Sequence, residues 1–242
     1  MSGHSKWSTI KHQKGAADQK RGAIFSKLAN AVSLAARGGA DPDMNFQLRI
    51  AIDKARAANM PKDNIERAIE RATGAGAGFL EEVTFEAYGP GGTAFLIETA
   101  SDNRNRTVGD IRSTLNKFDG KLAESGSVAY LFTKRGQIVL EDVDAETAEL
   151  SAIDAGAEDV EAVDRTVFVY TDPKELEQVR HKLAAAGFSS EHVNLEFHPS
   201  ANIPITDEKT AEKIIKLATA LDDLDDVARV SSNFELPDNL VE

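Results

Sequence analysis

The sequence predicts an α/β (α+β) protein, in which an N-terminal all-α domain is followed by two α/β domains. One of these two is expected to be ferredoxin-like and inserted into the other. Apolar residues recur at helical spacing up to residue 73, a glycine-rich segment follows, and strand-like segments begin beyond it. A chain of 242 residues is also long enough for two or three compact units.

Three helices are predicted in the N-terminal part. The first begins near Asp18 and ends at Gly38, a residue type that often terminates helices. The second stops before Pro61, because proline disfavours the helical conformation in the residue ahead of it. The third begins near Asp63, and the sequence GAGAG at 74–78 predicts a flexible hinge after it.

Strand patterns dominate the next part of the chain. Residues 84–88 and 93–99 flank Gly-Pro-Gly-Gly, which predicts a tight turn between two strands. This turn lacks the Lys-Ser/Thr ending of a phosphate-binding loop. A helix follows, with Thr107 and Asp110 at capping-box spacing, and residues 128–132 are predicted to form another strand.

Residues 136–198 contain strand, helix, strand, strand, helix and strand patterns in that order, which is typical of a ferredoxin-like unit. Pro173 is expected to open the second of these helices. The preceding block lacks a closing helix and strand, and residues 201–235 supply them, so we predict an insertion. Sequential domains joined in a row are the alternative. The predicted domains are residues 1–78, residues 79–134 plus 201–242, and residues 135–200.

Charge is segregated along this chain. The whole protein carries a net charge of −12, yet its first 37 residues hold seven basic residues against one acid, Asp18. Residues 1–16 lack periodicity and are predicted to form a flexible arm. The lysines of this arm can neutralise phosphates, its histidines can bind phosphate when protonated, and Trp7 can stack on a base. Trp7 could equally fold back onto the helical domain. The pattern favours a protein that binds nucleic acid or the ribosome.

The sequence SDNRNRT at 101–107 is a second candidate for anion binding. It is predicted to place Arg104 and Arg106 in a polar loop directly before a helix, where backbone N–H groups and guanidinium groups favour phosphate. The alternative is an Asx-type turn whose arginines pair with nearby acids. Basic residues on the predicted helices could extend the footprint or form an ordinary solvated face. They include Lys27, Arg49, Lys54, Arg56 and Lys62.

No candidate active site is found in the sequence. The chain has no cysteine, its five histidines lack the spacing of a hydrolytic zinc site, and no nucleophile elbow is present. The acidic run at 222–226 is interpreted as a solvated loop instead of a magnesium site. We expect a non-enzymatic protein without cofactor, metal or small-molecule substrate. A metal-dependent enzyme and a protein-interaction scaffold are the rival classes.

Membrane association is not expected, because no stretch approaches 18 apolar residues. The N-terminus also lacks the apolar core of a secretory signal, so a cytoplasmic location is expected. The residues do not indicate an oligomeric state.

Four segments carry a family resemblance: MSGHSKWSTIKHQKGAADQKRGAIFSKL, NMPKDNIERAIERATG, YGPGGTAFLIETASDNRNRT and ESGSVAYLF. They resemble the YebC/PmpR family, whose members are described as probable transcriptional regulators and whose mitochondrial branch as translational activators. The resemblance implies three domains, a cytoplasmic location, and a regulatory role without catalysis, exercised on DNA or on RNA and the ribosome. Backbone neutralisation serves both kinds of target, so the choice stays open. The resemblance implies nucleic-acid contacts at His4, Lys6, Trp7, Lys11, His12, Lys14, Lys20, Arg21, Arg104 and Arg106.

Overall fold

The computed structural model describes residues 21–73, 80–190 and 192–236. It begins with a helical region, made of α1 (Arg21–Ala36), α2 (Phe46–Ala57) and α3 (Lys62–Thr73). Asn45 fixes the turn between the first two helices. Its side-chain oxygen caps α2 by accepting from the Leu48 N–H at 3.1 Å, and its amide donates to the Ala35 carbonyl at 2.7 Å. The predicted hinge at 74–78 lies outside the described residues.

The apolar stripes of the three helices meet in one core. Val32 of α1, Leu48 and Ala55 of α2, and Ile65 of α3 are all buried there. Ser33 donates to the Ala68 carbonyl at 2.7 Å within this core, which links α1 to α3 through a satisfied buried hydroxyl.

An antiparallel sheet begins after the helical region. Its first elements are β1 (Glu81–Tyr88), β2 (Ala94–Ser101), α4 (Arg104–Lys117) and β3 (Lys121–Leu122). The Gly-Pro-Gly-Gly sequence forms the predicted tight turn, with Gly91 at φ 71°, in the left-handed region that favours glycine. This turn brings Tyr88 opposite Ala94 in the ladder.

A second antiparallel sheet follows. Its elements are β4 (Phe132–Leu140), α5 (Ala145–Ala155), β5 (Asp159–Val163), β6 (Thr166–Thr171), α6 (Leu176–Ala185) and β7 (His192–Pro199). The strands lie in the order β5-β6-β4-β7, which is the ferredoxin-like arrangement for this order of elements. Both helices pack on one face, where Ala152, Leu176 and Val179 meet Ile138 and Val169.

The chain then returns to the first sheet. It forms β8 (Ile203–Pro204), α7 (Glu208–Asp222), β9 (Val227–Ser232) and β10 (Phe234–Glu235). Strand β9 pairs with β2, which completes a sheet of order β3-β1-β2-β9, and β8 pairs with β10. Helices α4 and α7 cover one face of this sheet through a shared apolar core. The predicted fold class is confirmed; the exact domain boundaries stay a prediction.

Charged residues bridge the two larger sheets. Arg229 of β9 donates to the Leu195 carbonyl of β7 at 2.6 Å, and its guanidinium lies 3.8 Å from Glu196 and 3.9 Å from Glu98. Burial raises the pKa of Glu98, and the positive charge of Arg229 partly offsets this effect. The pairing fixes the position of β9 relative to the ferredoxin-like unit.

Three local predictions were wrong. Pro173 does not open helix α6, which begins at Leu176 after a turn at residues 173–175. Residues 129–131 form a turn of 3-10 helix and not a strand. The carboxylate of Glu86 in β1 accepts hydrogen bonds from the backbone N–H groups of Val128 and Ala129, which a strand would use for pairing. Helix α4 begins at Arg104, one turn earlier than the predicted cap at Thr107. Asn103 caps it instead, by accepting from the Arg106 N–H at 3.1 Å.

Candidate nucleic-acid interface

Most of the predicted arm contacts cannot be placed in the fold. His4, Lys6, Trp7, Lys11, His12, Lys14 and Lys20 lie outside the described residues. Arg21 is the first residue of α1, and its side chain is not described. Their contact with nucleic acid therefore stays a prediction.

A groove of about 290 Å³ runs between α1 and α3, and we call it the α1–α3 groove. Helix α3 presents its polar residues to this groove because they recur at three- and four-residue steps on one face. Among the described residues, its lining includes two arginines and no carboxylate. The lining residues are Phe25, Ser26, Ala29, Asn64, Arg67, Ala68 and Arg71.

The two arginines of the α1–α3 groove bind neutral acceptors. Arg67 donates to the side-chain oxygen of Asn64, and to the Asp63 carbonyl at 3.2 Å. Arg71 donates to Asn30 Oδ1 at 2.9 Å and to Ser33 Oγ at 3.1 Å. Within the described ranges, neither guanidinium lies within 4.0 Å of a carboxylate oxygen, so neither forms an ion pair there.

The groove lies beside the point where residues 1–20 join the described fold. Phe25 and Ser26 are in the second turn of α1, which starts at Arg21. The sequence analysis did not single out Arg67 and Arg71. Their four-residue spacing in ERAIER was the available signal, but only the packing of α1 against α3 reveals the groove.

Five helical cations that the sequence offered as extensions have partners within the protein. Lys27 donates to the Asp222 carbonyl and Lys54 to the side chain of Asn194. The other three lie near carboxylates, with separations of 3.5 Å for Arg49–Glu177, 3.7 Å for Arg56–Asp53 and 3.2 Å for Lys62–Glu66. Lys27 and Lys54 thus connect the helical region to the two sheets.

Arg106 serves as a connection between distant parts of the chain. Its guanidinium donates to Asp226 at 2.9 Å and to Asp102 at 3.0 Å. Hydrogen bonding to Asp226, and then to Asp102, raises the pKa of Arg106. Asp226 also accepts from Thr107 at 2.7 Å and Ser101 at 3.0 Å, so it joins the start of α4 to the turn before β9.

Arg104 is more exposed than Arg106 and is therefore easier for a ligand to reach. Its side chain is 60% exposed and lies 3.7 Å from Glu81, a separation that allows only a weak surface pair. The arrangement around Asn103 is the Asx-type alternative that the sequence analysis left open. Binding of nucleic acid by Arg104 and Arg106 stays a prediction.

No metal site or membrane span is found in the described part of the chain. Among residues 21–73, 80–190 and 192–236, no three histidine or carboxylate side chains come together in a way that would hold a metal ion. No helix in these ranges combines the length and the apolar character that crossing a bilayer requires.

The fold is thus that of a mixed helix-and-sheet protein in which a helical region with a cationic groove precedes two sheet-containing units. The chain belongs to the TACO1/YebC family. The N-terminal domain of that family matches residues 5–75, and its second and third domain match residues 80–234. The family resemblance seen in the sequence is therefore confirmed.

Relatives from several bacteria align over nearly the whole chain. A protein of Halothermothrix orenii is 48% identical, over 100% of this chain and 98% of its own length. One of Geobacter sulfurreducens is 49% identical, over 98% and 96%. Both are named probable transcriptional regulatory protein. The crystal structure of a conserved hypothetical protein from Aquifex aeolicus superposes with a TM-score of 0.85 at 42% identity, over 93% of this chain and 94% of that one.

Proposed function

We propose that this chain is a non-enzymatic regulator that binds the phosphate backbone of DNA through its basic N-terminal arm. The segregation of charge carries the proposal: seven basic residues against one acid in the first 37, within a protein of net charge −12. Lysines bound to phosphates release condensed counterions, which supplies affinity without any base contact. The acidic remainder of the protein repels the duplex and so restricts contact to the basic end.

The α1–α3 groove extends this surface. Guanidinium groups match the geometry of phosphate oxygens, and those of Arg67 and Arg71 bind only neutral acceptors among the described residues. Exchanging a neutral acceptor for a phosphate does not break an ion pair. Arg106 differs in this respect, because it already forms an ion pair with Asp226 from a distant part of the chain.

Duplex DNA is proposed as the target because the relatives are named transcriptional regulatory proteins. The experiment is to measure affinity of the full chain for duplex DNA, structured RNA and ribosomes in the same buffer. Tightest binding to duplex DNA supports the proposal. Tightest binding to structured RNA or ribosomes would replace transcription with translation as the regulated process, and no binding to any of the three would overturn the proposal.

The α1–α3 groove gives a prediction of its own. The double variant Arg67→Gln with Arg71→Gln is expected to weaken DNA binding about 10-fold or more at 0.1 M salt, because it removes two phosphate contacts. The matched control is Arg112→Gln with Lys117→Gln, which removes two exposed cations of α4. Equal losses in both variants, measured by fluorescence anisotropy, would show that only net charge matters and would exclude the groove.

A further inference from the structure

A second cleft, of about 410 Å³, lies between the helical region and the ferredoxin-like unit. We call it the α2–α6 cleft. Residues of α2 form one side, and Arg180 of α6, Ser190 and Val193 form the other. Its volume is within the range of small-molecule sites, which begins at roughly 300 Å³. It is separate from the α1–α3 groove and shares no residue with it.

Among the residues that the structure describes, the polar lining of this cleft carries more positive than negative charge. Arg49, Arg56 and Arg180 line it together with one described carboxylate, Asp53. Arg56 and Asp53 are 3.7 Å apart, with side chains 70% and 53% exposed, so their pairing is weak and easily exchanged. An excess of arginine is unexpected in so acidic a protein and favours an anionic ligand.

One further carboxylate, Glu177, balances the arginines only in part. Arg180 donates to its two oxygens at 3.0 and 2.8 Å, Arg49 lies 3.5 Å away, and His181 lies 3.0 Å away. Burial acts to raise the pKa of Glu177, but the Arg180 hydrogen bonds and the charges of Arg180, Arg49 and His181 outweigh it, so this pKa lies below its usual value. A single carboxylate shared in this way leaves positive charge beside the cleft.

Only part of the Arg49 side chain can face a ligand. The side chain is 35% exposed, but its Nε is buried and has no hydrogen-bond acceptor among the described residues. A ligand in the cleft therefore reaches the exposed part of the guanidinium and not Nε. Guanidinium groups match the geometry of phosphate oxygens, so a phosphate suits this position.

Apart from Ser190, the remaining described lining is apolar. Phe46, Ile50, Ala57 and Val193 contribute to it, and the guanidinium of Arg49 lies 5.8 Å from the centroid of the Phe46 ring. A planar group can pack against these side chains, while a negative group reaches the arginines.

We propose that the α2–α6 cleft binds a mononucleotide, with its phosphate on Arg49, Arg56 and Arg180 and its base against Phe46 and Ile50. The nucleotide is a ligand and not a substrate, and its binding does not depend on the proposed role of the arm. Since Arg56 and Arg180 belong to opposite sides, the bound nucleotide would strengthen the contact between the helical region and the ferredoxin-like unit.

The test titrates the full chain with AMP, adenosine and inorganic phosphate at constant ionic strength, by calorimetry and thermal unfolding. AMP at 2 mM is expected to raise the melting temperature by about 3 °C, and to bind at least 10-fold tighter than adenosine or phosphate alone. Equal binding of AMP and adenosine would overturn the proposal, since the arginines would then contribute nothing. Absence of AMP binding would overturn it as well.

Three single variants test whether the ligand binds in the α2–α6 cleft. Arg56→Gln removes an exposed arginine whose ion pair in the described structure is with exposed Asp53, so it should fold normally and bind AMP at least 10-fold more weakly. Arg49→Lys keeps the charge but loses the planar guanidinium that matches phosphate oxygens, and a similar loss is expected. Arg112→Gln, on the exposed face of α4, is the control and should bind AMP as the parent does. Equal weakening by Arg56→Gln and Arg112→Gln would show a general charge effect and contradict the proposed site.

Discussion

Deletion of residues 1–16 is expected to lower the affinity for duplex DNA about 100-fold at 0.1 M salt. The deletion removes Lys6, Lys11 and Lys14, and it removes Trp7, for which stacking on a base is one of the two predicted roles. Each lysine that neutralises a phosphate releases nearly one counterion, so three of them account for an effect of this size. Gel-shift or anisotropy measurements on both proteins test it directly. An unchanged affinity would place the binding surface elsewhere.

A charge-reversal variant shows whether the lysine charges, and not merely the presence of the arm, account for the loss of affinity. Lys11→Glu with Lys14→Glu keeps the length of the arm and should weaken binding without lowering the melting temperature. Lys174→Glu with Lys209→Glu makes the same change in net charge at exposed positions of the two sheet-containing units, and a much smaller effect is expected. A large drop in melting temperature for the arm variant would instead indicate that these lysines are packed against the fold.

The second large effect is expected at Glu86, for which Glu86→Ala should lower the free energy of unfolding by about 3 kcal/mol. Its carboxylate is buried and accepts from Gly126 at 2.6 Å, Val128 at 2.6 Å and Ala129 at 2.8 Å. Removing it leaves backbone donors without acceptors and frees the segment that positions Tyr130, whose ring is exposed at the surface. Denaturant titration measures the loss.

The effect of Glu86 should depend on pH. Burial acts to raise its pKa, but hydrogen bonds from the backbone N–H groups of Val128, Gly126 and Ala129 outweigh burial and hold this pKa below its usual value. A lowered pKa stabilises the fold above pH 4.5, and that contribution is lost as the pH falls through the folded value. The difference between parent and Glu86→Ala should therefore shrink in acid. The control Glu82→Ala changes an exposed residue of the same strand, and a comparable loss there would contradict this account.

Local signals predicted much of the fold. Helix α5 is the first helix of the order that the sequence predicted for residues 136–198. Asp144 caps its start by accepting from the Thr147 N–H at 3.0 Å. Gly156 ends it at φ 103°, a conformation that few other residues adopt. Local signals failed for the segment at 128–132, which was predicted as a strand. Its backbone N–H groups bind the side chain of Glu86, about 40 positions earlier in the chain, and local sequence does not show this contact.

The candidate site was less predictable than the fold. The sequence revealed the basic arm, because net charge needs no knowledge of packing. It could not reveal that Asp226, 120 residues away, balances Arg106, or that α1 lies beside Arg67 and Arg71. Nor could it show the α2–α6 cleft, whose arginines come from segments more than 120 residues apart. Contacts between distant parts of the chain decide which cations remain available.

The central claim is that a cationic N-terminal segment brings an acidic protein to a polyanion. Its most direct test is the affinity for duplex DNA of the full chain and of the chain lacking residues 1–16, measured over a range of salt concentrations. For the full chain, log K should fall with log salt at a slope of roughly −4 to −6, and the deletion should remove at least half of that slope. The same slope for both proteins would contradict the claim.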